Sequence, residues 1–559
     1  MHSLIRVNQA DPILELPEPQ DARKMPLVEV QVLPETLSIR ERSDSVITLR
    51  PKAKDRANQR DHSEPDQHFF GRHRWNPDVS WTAQEEAKVV RKTDCFLLLV
   101  VSLMMLGIHI DRFNLYNALT DNFLGDAGLD TRDFDNAIMI TRSAVLLSEF
   151  PVQILVLRYG FKTVFPPLIM SFGVVSACQC LVHGRAAFLI VRGLLGLLEG
   201  GYMPGMVHFF TQFYTTSEMA PRLAVLAAMT DLGHIIASLM AALILKMRGV
   251  AGQPGWFWLF LIEGSITLLI GVFSLLYLPW CVTDTQSMIC RNPWYNDREE
   301  TIMVNRLLRD DPAKGQSALK LRPSLAEVRD TLIDKKLWIL YTCSFLGLIS
   351  YLPVRQYLGL TLRRLHFSVF NSNMLQVPPA LFQMVTVLLL AWSSEYFKER
   401  TWHCTFAHLF PIPFLIALET VPEHIGMWKR YGLTASIVAS PSYYPVLIAW
   451  TCEASFSVKK RAVAVTILNV LTLAGAIVAS QVYQKEDEPY YYNGNKFLIA
   501  VALLACLLFV INKMIMNRVN RKRDKQWEEM TTSEQMAYQI DTEHEEFHGN
   551  RRIDFRFPT

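Results

Sequence analysis

Apolar stretches of about 20 residues recur along this chain from about residue 95 to about 517, and each is long enough to cross a hydrocarbon layer of roughly 30 Å. Inside a bilayer the backbone has no water to bond, so such stretches must be helical or closed into a barrel. The expected limits are 95–117, 137–157, 163–182, 186–208, 223–246 and 257–279, then 337–357, 372–392, 402–420, 432–454, 461–483 and 496–517. The order is six, a polar linker, six. The sequence thus predicts an all-α polytopic membrane protein, with 12 transmembrane helices in two six-helix bundles. Two equal bundles suggest an internally duplicated transporter.

The polar stretches complete the plan. Residues 1–93 read as a disordered cytoplasmic N-terminal tail and 94–279 as the first bundle. Residues 280–336 read as a cytoplasmic linker, 337–517 as the second bundle and 518–559 as a cytoplasmic C-terminal tail. These polar stretches hold the mean hydropathy to +0.16, although half the residues are hydrophobic. The start of the chain lacks an apolar signal core, so no cleaved signal peptide is expected. Lys and Arg in the short loops balance between the two sides. The basic flank after the last span, from Lys513 to Lys525, places both termini inside. The net charge of +3 gives no sign of a nucleic-acid partner. Most of the nine cysteines lie in apolar runs, and no Cys/His spacing suits zinc. No metal and no cofactor are expected. No P-loop or nucleophile motif supports an enzyme.

Ionisable residues inside apolar helices are costly, by roughly 2.5–3.5 kcal/mol each on insertion scales, and mark a pathway or relay. Span 1 ends in GIHIDRFNLYNAL, with His109, Asp111, Arg112 and Asn114. Span 2 carries Arg142 and Glu149. Span 4 reads RGLLGLLEGGYMPG, with Arg192 and Glu199 two helical turns apart on one face. Arg142 and Glu149 repeat that spacing. Asp231 and His234 follow in span 5, Glu263 in span 6 and Arg355 in span 7. An Arg keeps its proton and anchors an anion with a fork of donors, whereas a buried carboxyl can take a proton up and release it. A fixed cation beside a switchable acid is what proton-coupled anion movement requires. The plainer alternative is an internal ion pair that only holds helices together.

At these residues the sequence resembles the anion:cation symporter branch of the major facilitator superfamily, and more closely the fungal allantoate-permease-like group. The likeness spans about residues 80–520. It rests on WTAQEEAKVVRKTD (81–94), DRFNLYNA (111–118), SEFPVQILVLRYG (148–160), RGLLGLLEGGYMPG (192–205), WFWLFLIEG (256–264), YNDREETIMVNRLLRDDP (295–312) and KKRAVAVTILN (459–469). The resemblance implies the major facilitator fold and proton-driven symport of a small organic anion by alternating access. Substrates in the group include allantoate, nicotinate, pantothenate, biotin, cysteine and sulfonates. It implies coupling acids and anion-binding cations at Asp111, Glu199, Arg112 and Arg192; Asn114 and Arg142 are further substrate-binding candidates by their place in spans 1 and 2. It further implies a central cavity to which the second half contributes Gln356, Tyr357 and Asn469. Two departures stand out. Leu157 precedes Arg158 where the superfamily turn carries an Asp, and Arg142 and Arg355 replace less polar residues. The extra cations suggest a different or more highly charged anion, or export of a metabolite.

The expected partners are a small organic anion, protons and the lipid bilayer, with the protein a monomer in the plasma membrane. An exporter or internal-membrane carrier of an acidic metabolite is the alternative. A non-transporting nutrient sensor is a third reading, but a sensor would not need both coupling acids.

Overall fold

The computed structural model describes Pro65, Phe69 and residues 71–310, 325–422, 426–455, 458–488, 490–531, 533–535, 538, 550 and 553–558. Most of the expected N-terminal tail, part of the linker and much of the C-terminal tail lie outside the described residues. The first half holds α1 (Ala83–Thr93), α2 (Leu99–Ala118), α3 (Thr131–Tyr159), α4 (Phe161–Cys178), α5 (Arg185–Glu199), α6 (Tyr202–Thr211), α7 (Thr216–Ile244) and α8 (Gly255–Tyr277). The linker contributes α9 (Asp297–Asp310). The second half holds α10 (Trp338–Ile349), α11 (Leu352–Arg364), α12 (Val377–Phe397), α13 (Thr401–Leu409), α14 (Pro411–Thr420), α15 (Met427–Val438), α16 (Tyr444–Ser455), α17 (Val458–Ala479) and α18 (Tyr492–Glu528). The described residues contain no β-strand.

Among the described residues, nine helical segments are long and apolar enough to cross a membrane. Six lie in the first half, as expected there. The second half has three instead of six, because two of its spans are broken and the apolar helix described within 461–483, Val463–Ala479, is shorter. The stretch 337–357 divides into α10 and α11, since Pro353 has no N–H and its ring would crowd the Ile349 carbonyl of a continuous helix. The stretch 432–454 divides into α15 and α16 around Pro441. Span 4 also breaks, into α5 and α6. Gly201 sits there at φ +72°, and a Cβ on it would lie 2.9 Å from that of Val152.

Within the halves, α3 packs along α5, α2 beside α7 and α8, and α10 beside α17. The halves meet where α7 lies against α12 and α3 against α17. The closest pairing is α4 with α8. A Cβ on Gly173 would come within 2.5 Å of the Leu268 amide, and one on Gly264 would strike the Ala177 backbone. These helices therefore touch backbone to backbone, with no slack for a side chain. Gly264→Leu should cost at least about 3 kcal/mol by overpacking. The variant should lose its monodisperse peak on size-exclusion chromatography in detergent. Gly432→Leu, where nothing lies within 4 Å, is the control. A normal peak and melting curve for Gly264→Leu would disprove the close packing.

Part of the expected disordered tail is folded. Thr82 and Glu85 form a capping box that starts α1. Residues 71–93 then dock on α9, with Arg74 Nε donating to Glu300 at 2.9 Å and Lys92 Nζ to Glu299 at 2.8 Å. Arg306 of α9, 3% exposed, donates to Glu218 and to the Phe213 carbonyl, both at 2.9 Å. The linker is thus partly a clamp under the first half. Under the second half, Asn550 donates to Asp334 at 2.7 Å, and Trp450 Nε1 donates to the Pro558 carbonyl at 3.0 Å. The helix expected to end near 517 runs on to Glu528.

The opposite, far end of the molecule carries several of the bonds that join the halves. Tyr357 donates to Asp135 at 2.6 Å, Asn373 to Thr120 at 2.8 Å, Lys485 to Asp130 at 3.1 Å and Gln376 to Asn117 at 3.3 Å. One apolar core, containing Tyr116, Phe134, Tyr357, Tyr483 and Tyr491, spans both halves. In the neighbouring loop, partial burial raises the pKa of Asp126, but Arg248, the Trp256 indole and Asn122 outweigh it and hold this carboxyl below its usual range. The far end is therefore closed.

Candidate functional site

Helix α2 sends its consecutive charges in different directions, because neighbours on a helix diverge by about 100°. Asp111, 2% exposed, turns into the first half. Asn114 Nδ2 donates to it and to Ser176 Oγ, each at 3.3 Å. Thr267 of α8 lies nearby and donates to the Gly107 carbonyl at 3.2 Å. Glu263, one turn before Thr267, is fully buried, and neither of its carboxyl oxygens has a hydrogen-bond partner. Asp111 and Glu263 lie close enough for their charges to interact.

Arg112 turns away from that network and forms an ion pair with Glu199 of α5. The Arg112 side chain stays 26% exposed, while that of Glu199 is 6% exposed. Arg192, two turns earlier on α5, donates instead to Gln179 Oε1 at 3.0 Å. The two charges of span 4 share a face, as their spacing predicts, but each has its own partner. Arg142 and Glu149, whose spacing would allow an internal pair, do not form one. Glu149 accepts from Asn469 at 2.8 Å, across the boundary between halves, and Asn469 accepts from Tyr444 at 3.2 Å. Arg142 is half-buried and makes no hydrogen bond or ion pair with any described residue. Its charge acts on His109, Arg112 and Arg192.

The second half supplies a cation. Arg355 stands in the first turns of α11 and reaches Asp231 of α7 at 3.4 Å and His234 Nδ1 at 3.3 Å. It donates to Gln383 at 3.0 Å, and its guanidinium lies 5.3 Å from the Phe113 ring centre. Asp231 and His234, a spacing that suggests a local pair, in fact converge on Arg355. Arg112, Arg142 and Arg355 all act on His109, whose Nε2 meets the Thr230 hydroxyl at 3.0 Å. The charges of three guanidinium groups, drawn from both halves, thus act on one buried imidazole.

The other second-half candidates are placed differently. Gln356 is 2% exposed, with neither amide atom partnered. Tyr357 is held by Asp135 and packs edge-on to Phe134 at 5.5 Å, inside the closed far end. Asp135, Gln179 and Gln383 carry site contacts that the sequence did not single out. Clefts of about 520 and 460 Å³ lie elsewhere, and no residue of the charged cluster lines them. Among the described residues no group of His, Cys, Asp and Glu is arranged to hold a metal ion.

A family model described as Major Facilitator Superfamily matches residues 101–480. A Saccharomyces cerevisiae protein named "Uncharacterized transporter YIL166C" is 33% identical over 491 residues, 88% of this chain and 90% of that protein. The major facilitator-type transporter hxnP of Emericella nidulans is 27% identical, across 79% of this chain and 88% of its own. An Agrobacterium vitis protein with a provisional name as a tartrate transporter is 25% identical, across 76% and 91%. Among solved structures, an inward-facing bacterial homologue of the human lysosomal transporter Spinster shares the fold. It has a TM-score of 0.56 and 15% identity, over 77% of this chain and 98% of its own. A D-xylose–proton symporter does so at 0.53 and 13%, over 73% and 96%. The matched region takes in both halves and the charged cluster between them, and the chain belongs to the major facilitator superfamily of multi-pass membrane transporters, which are not enzymes.

Proposed function

We propose that the protein is a proton-coupled symporter of a small organic anion, working as a monomer by alternating access through twelve crossings. The setting is the plasma membrane, with both termini cytoplasmic. The observation that carries this reading is the buried Arg112–Glu199 pair next to Arg142, a cation without a partner among the described residues. A proton on Glu199 cancels its charge and releases Arg112 to an incoming anion. An ionised Glu199 takes Arg112 back and expels that anion. Arg142 and Arg192 add fixed positive charge. Asp111, held by Asn114, is a second proton carrier. Gln356, Tyr357 and Asn469 become substrate contacts as the far-end bonds open. Tartrate, in the name of one relative, is an organic anion of this kind.

Reconstituted protein tests the reading. In liposomes with an acidic exterior, a labelled carboxylate or sulfonate should accumulate, acidify the lumen, and leak away on adding a protonophore. Net export against that gradient, or transport indifferent to it, would overturn symport.

A further inference from the structure

We propose that the substrate is a dianion held between the two halves, one anionic group on Arg112 and Arg142 and the other on Arg355. This rests on the anion-symport reading and names its substrate class.

Charge balance is the first argument. The cations acting on His109 are Arg112, Arg142 and Arg355; Arg192 is left out of the tally because it donates to Gln179 and its charge is met by Asp111 within the first half. The carboxylates in contact with them are Glu199 and Asp231. With both acids ionised, one positive charge is uncompensated, and a proton on Glu199 makes it two. Glu149 does not alter this tally. It stands two turns along α3 from Arg142, about 10 Å away, and is engaged by Asn469. A monoanion would leave one bare charge in a site that must desolvate as the carrier reorients. A dianion leaves none, and an unpaired charge inside the membrane is what makes occlusion costly.

Geometry is the second argument. Arg355 is loosely held. Its contacts to Asp231 and His234 are 3.4 and 3.3 Å, longer than the roughly 2.7–2.9 Å of a strong charge-assisted bond. Its Nε is buried with no partner. The next residue, Gln356, is buried with both amide atoms unsatisfied. Both lie in the first turns of α11, just after the break in span 7, so the free amides and positive end of that half-helix are close by. Gln356 and Gly359 are three apart and share a face, and Gly359 rests against Tyr116 and Thr120 of the first half. Arg355 can therefore exchange Asp231 for a substrate carboxylate, with Gln356 beside it. A ligand that engages Arg355 and Arg142 together must bridge the halves.

The test compares probes that differ by one charge: succinate with succinamate, and malonate with malonamate. Affinities are measured by isothermal titration on the purified full-length protein in detergent at about pH 6.5, where both diacids are still mostly dianions. Wild type should prefer the dianion of a pair by about tenfold or more. In Arg355→Gln the dianion should weaken more than the monoanion, until the preference is under about threefold. Asp231→Asn, which frees Arg355, should bind the dianion at least as tightly as wild type. Should Arg355→Gln fail to elute as one species, Asp231→Asn/Arg355→Gln leaves no carboxylate stranded and takes the same measurement. A preference that survives loss of Arg355, or monoanions bound as tightly as dianions by wild type, would overturn the dianion assignment alone. Failure of any anion to bind or move would overturn the symport reading beneath it.

Discussion

Glu199→Gln should abolish concentrative uptake while leaving exchange of substrate across the membrane intact. Gln keeps the shape of the side chain and removes its charge, so the variant stands permanently in the protonated form. In the wild type, Glu199 and the substrate compete for Arg112, and the proton decides which wins. With Gln in place, Arg112 is always free and anion binding no longer depends on pH. The loaded carrier still reorients, because its charges are matched. The empty carrier does so poorly, because Arg112 has lost its counter-ion inside the membrane. A gradient of about one pH unit is worth about 1.4 kcal/mol, so one-for-one symport should concentrate substrate about tenfold. The variant should stop at equal concentrations, with counterflow close to wild type. Both assays belong on the same reconstituted sample. If Glu199→Gln concentrates substrate normally while Asp111→Asn does not, the coupling proton sits on Asp111 in the network shared with Asn114 and Ser176.

Much of this architecture is legible in the sequence, for a simple reason. A bilayer permits so few backbone solutions that length and hydropathy alone locate most spans. The break in span 4 is legible too, because Gly200 and Gly201 interrupt the helix just after Glu199. The breaks in spans 7 and 10 were equally readable from Pro353 and Pro441, but the apolar runs pass through them and hide them. Thr82 and Glu85 carry a capping-box signal for α1 within a stretch whose composition reads as disordered. The partners of the charges were not legible. Helical spacing puts Arg192 and Glu199 on one face, yet their partners, Gln179 and Arg112, come from elsewhere in the chain. The same holds for Asp231 and His234, three apart on α7 and gathered by an Arg more than a hundred residues away. Periodicity reports which way a side chain leaves its own helix. It carries no information on which neighbour arrives there.

Arg112→Ala should be the most damaging single change in the charged cluster, and Glu199→Gln should repair its stability without restoring its function. Removing Arg112 leaves the Glu199 carboxylate, with 6% of its side chain exposed, in a helical interior without a counter-ion. Breaking a buried pair from one side costs about 3–5 kcal/mol. The lower end applies here, because a quarter of the Arg112 side chain remains exposed and water screens part of the interaction. Arg142 partly compensates at longer range. Adding Glu199→Gln to Arg112→Ala removes the stranded charge, so the double variant should return to within about 1 kcal/mol of wild type. Its melting temperature and elution profile should be near normal. Its anion affinity should stay at least about tenfold weaker, because a charged, forked donor is gone and a neutral amide does not replace it. The cycle separates two roles that a single substitution confounds. If the pair only holds α2 and α5 together, the double variant should regain binding along with stability. If the destabilisation from Arg112→Ala persists unchanged in the double variant, Arg112 and Glu199 are not coupled, and the ion pair cannot be the switch by which a proton admits the anion.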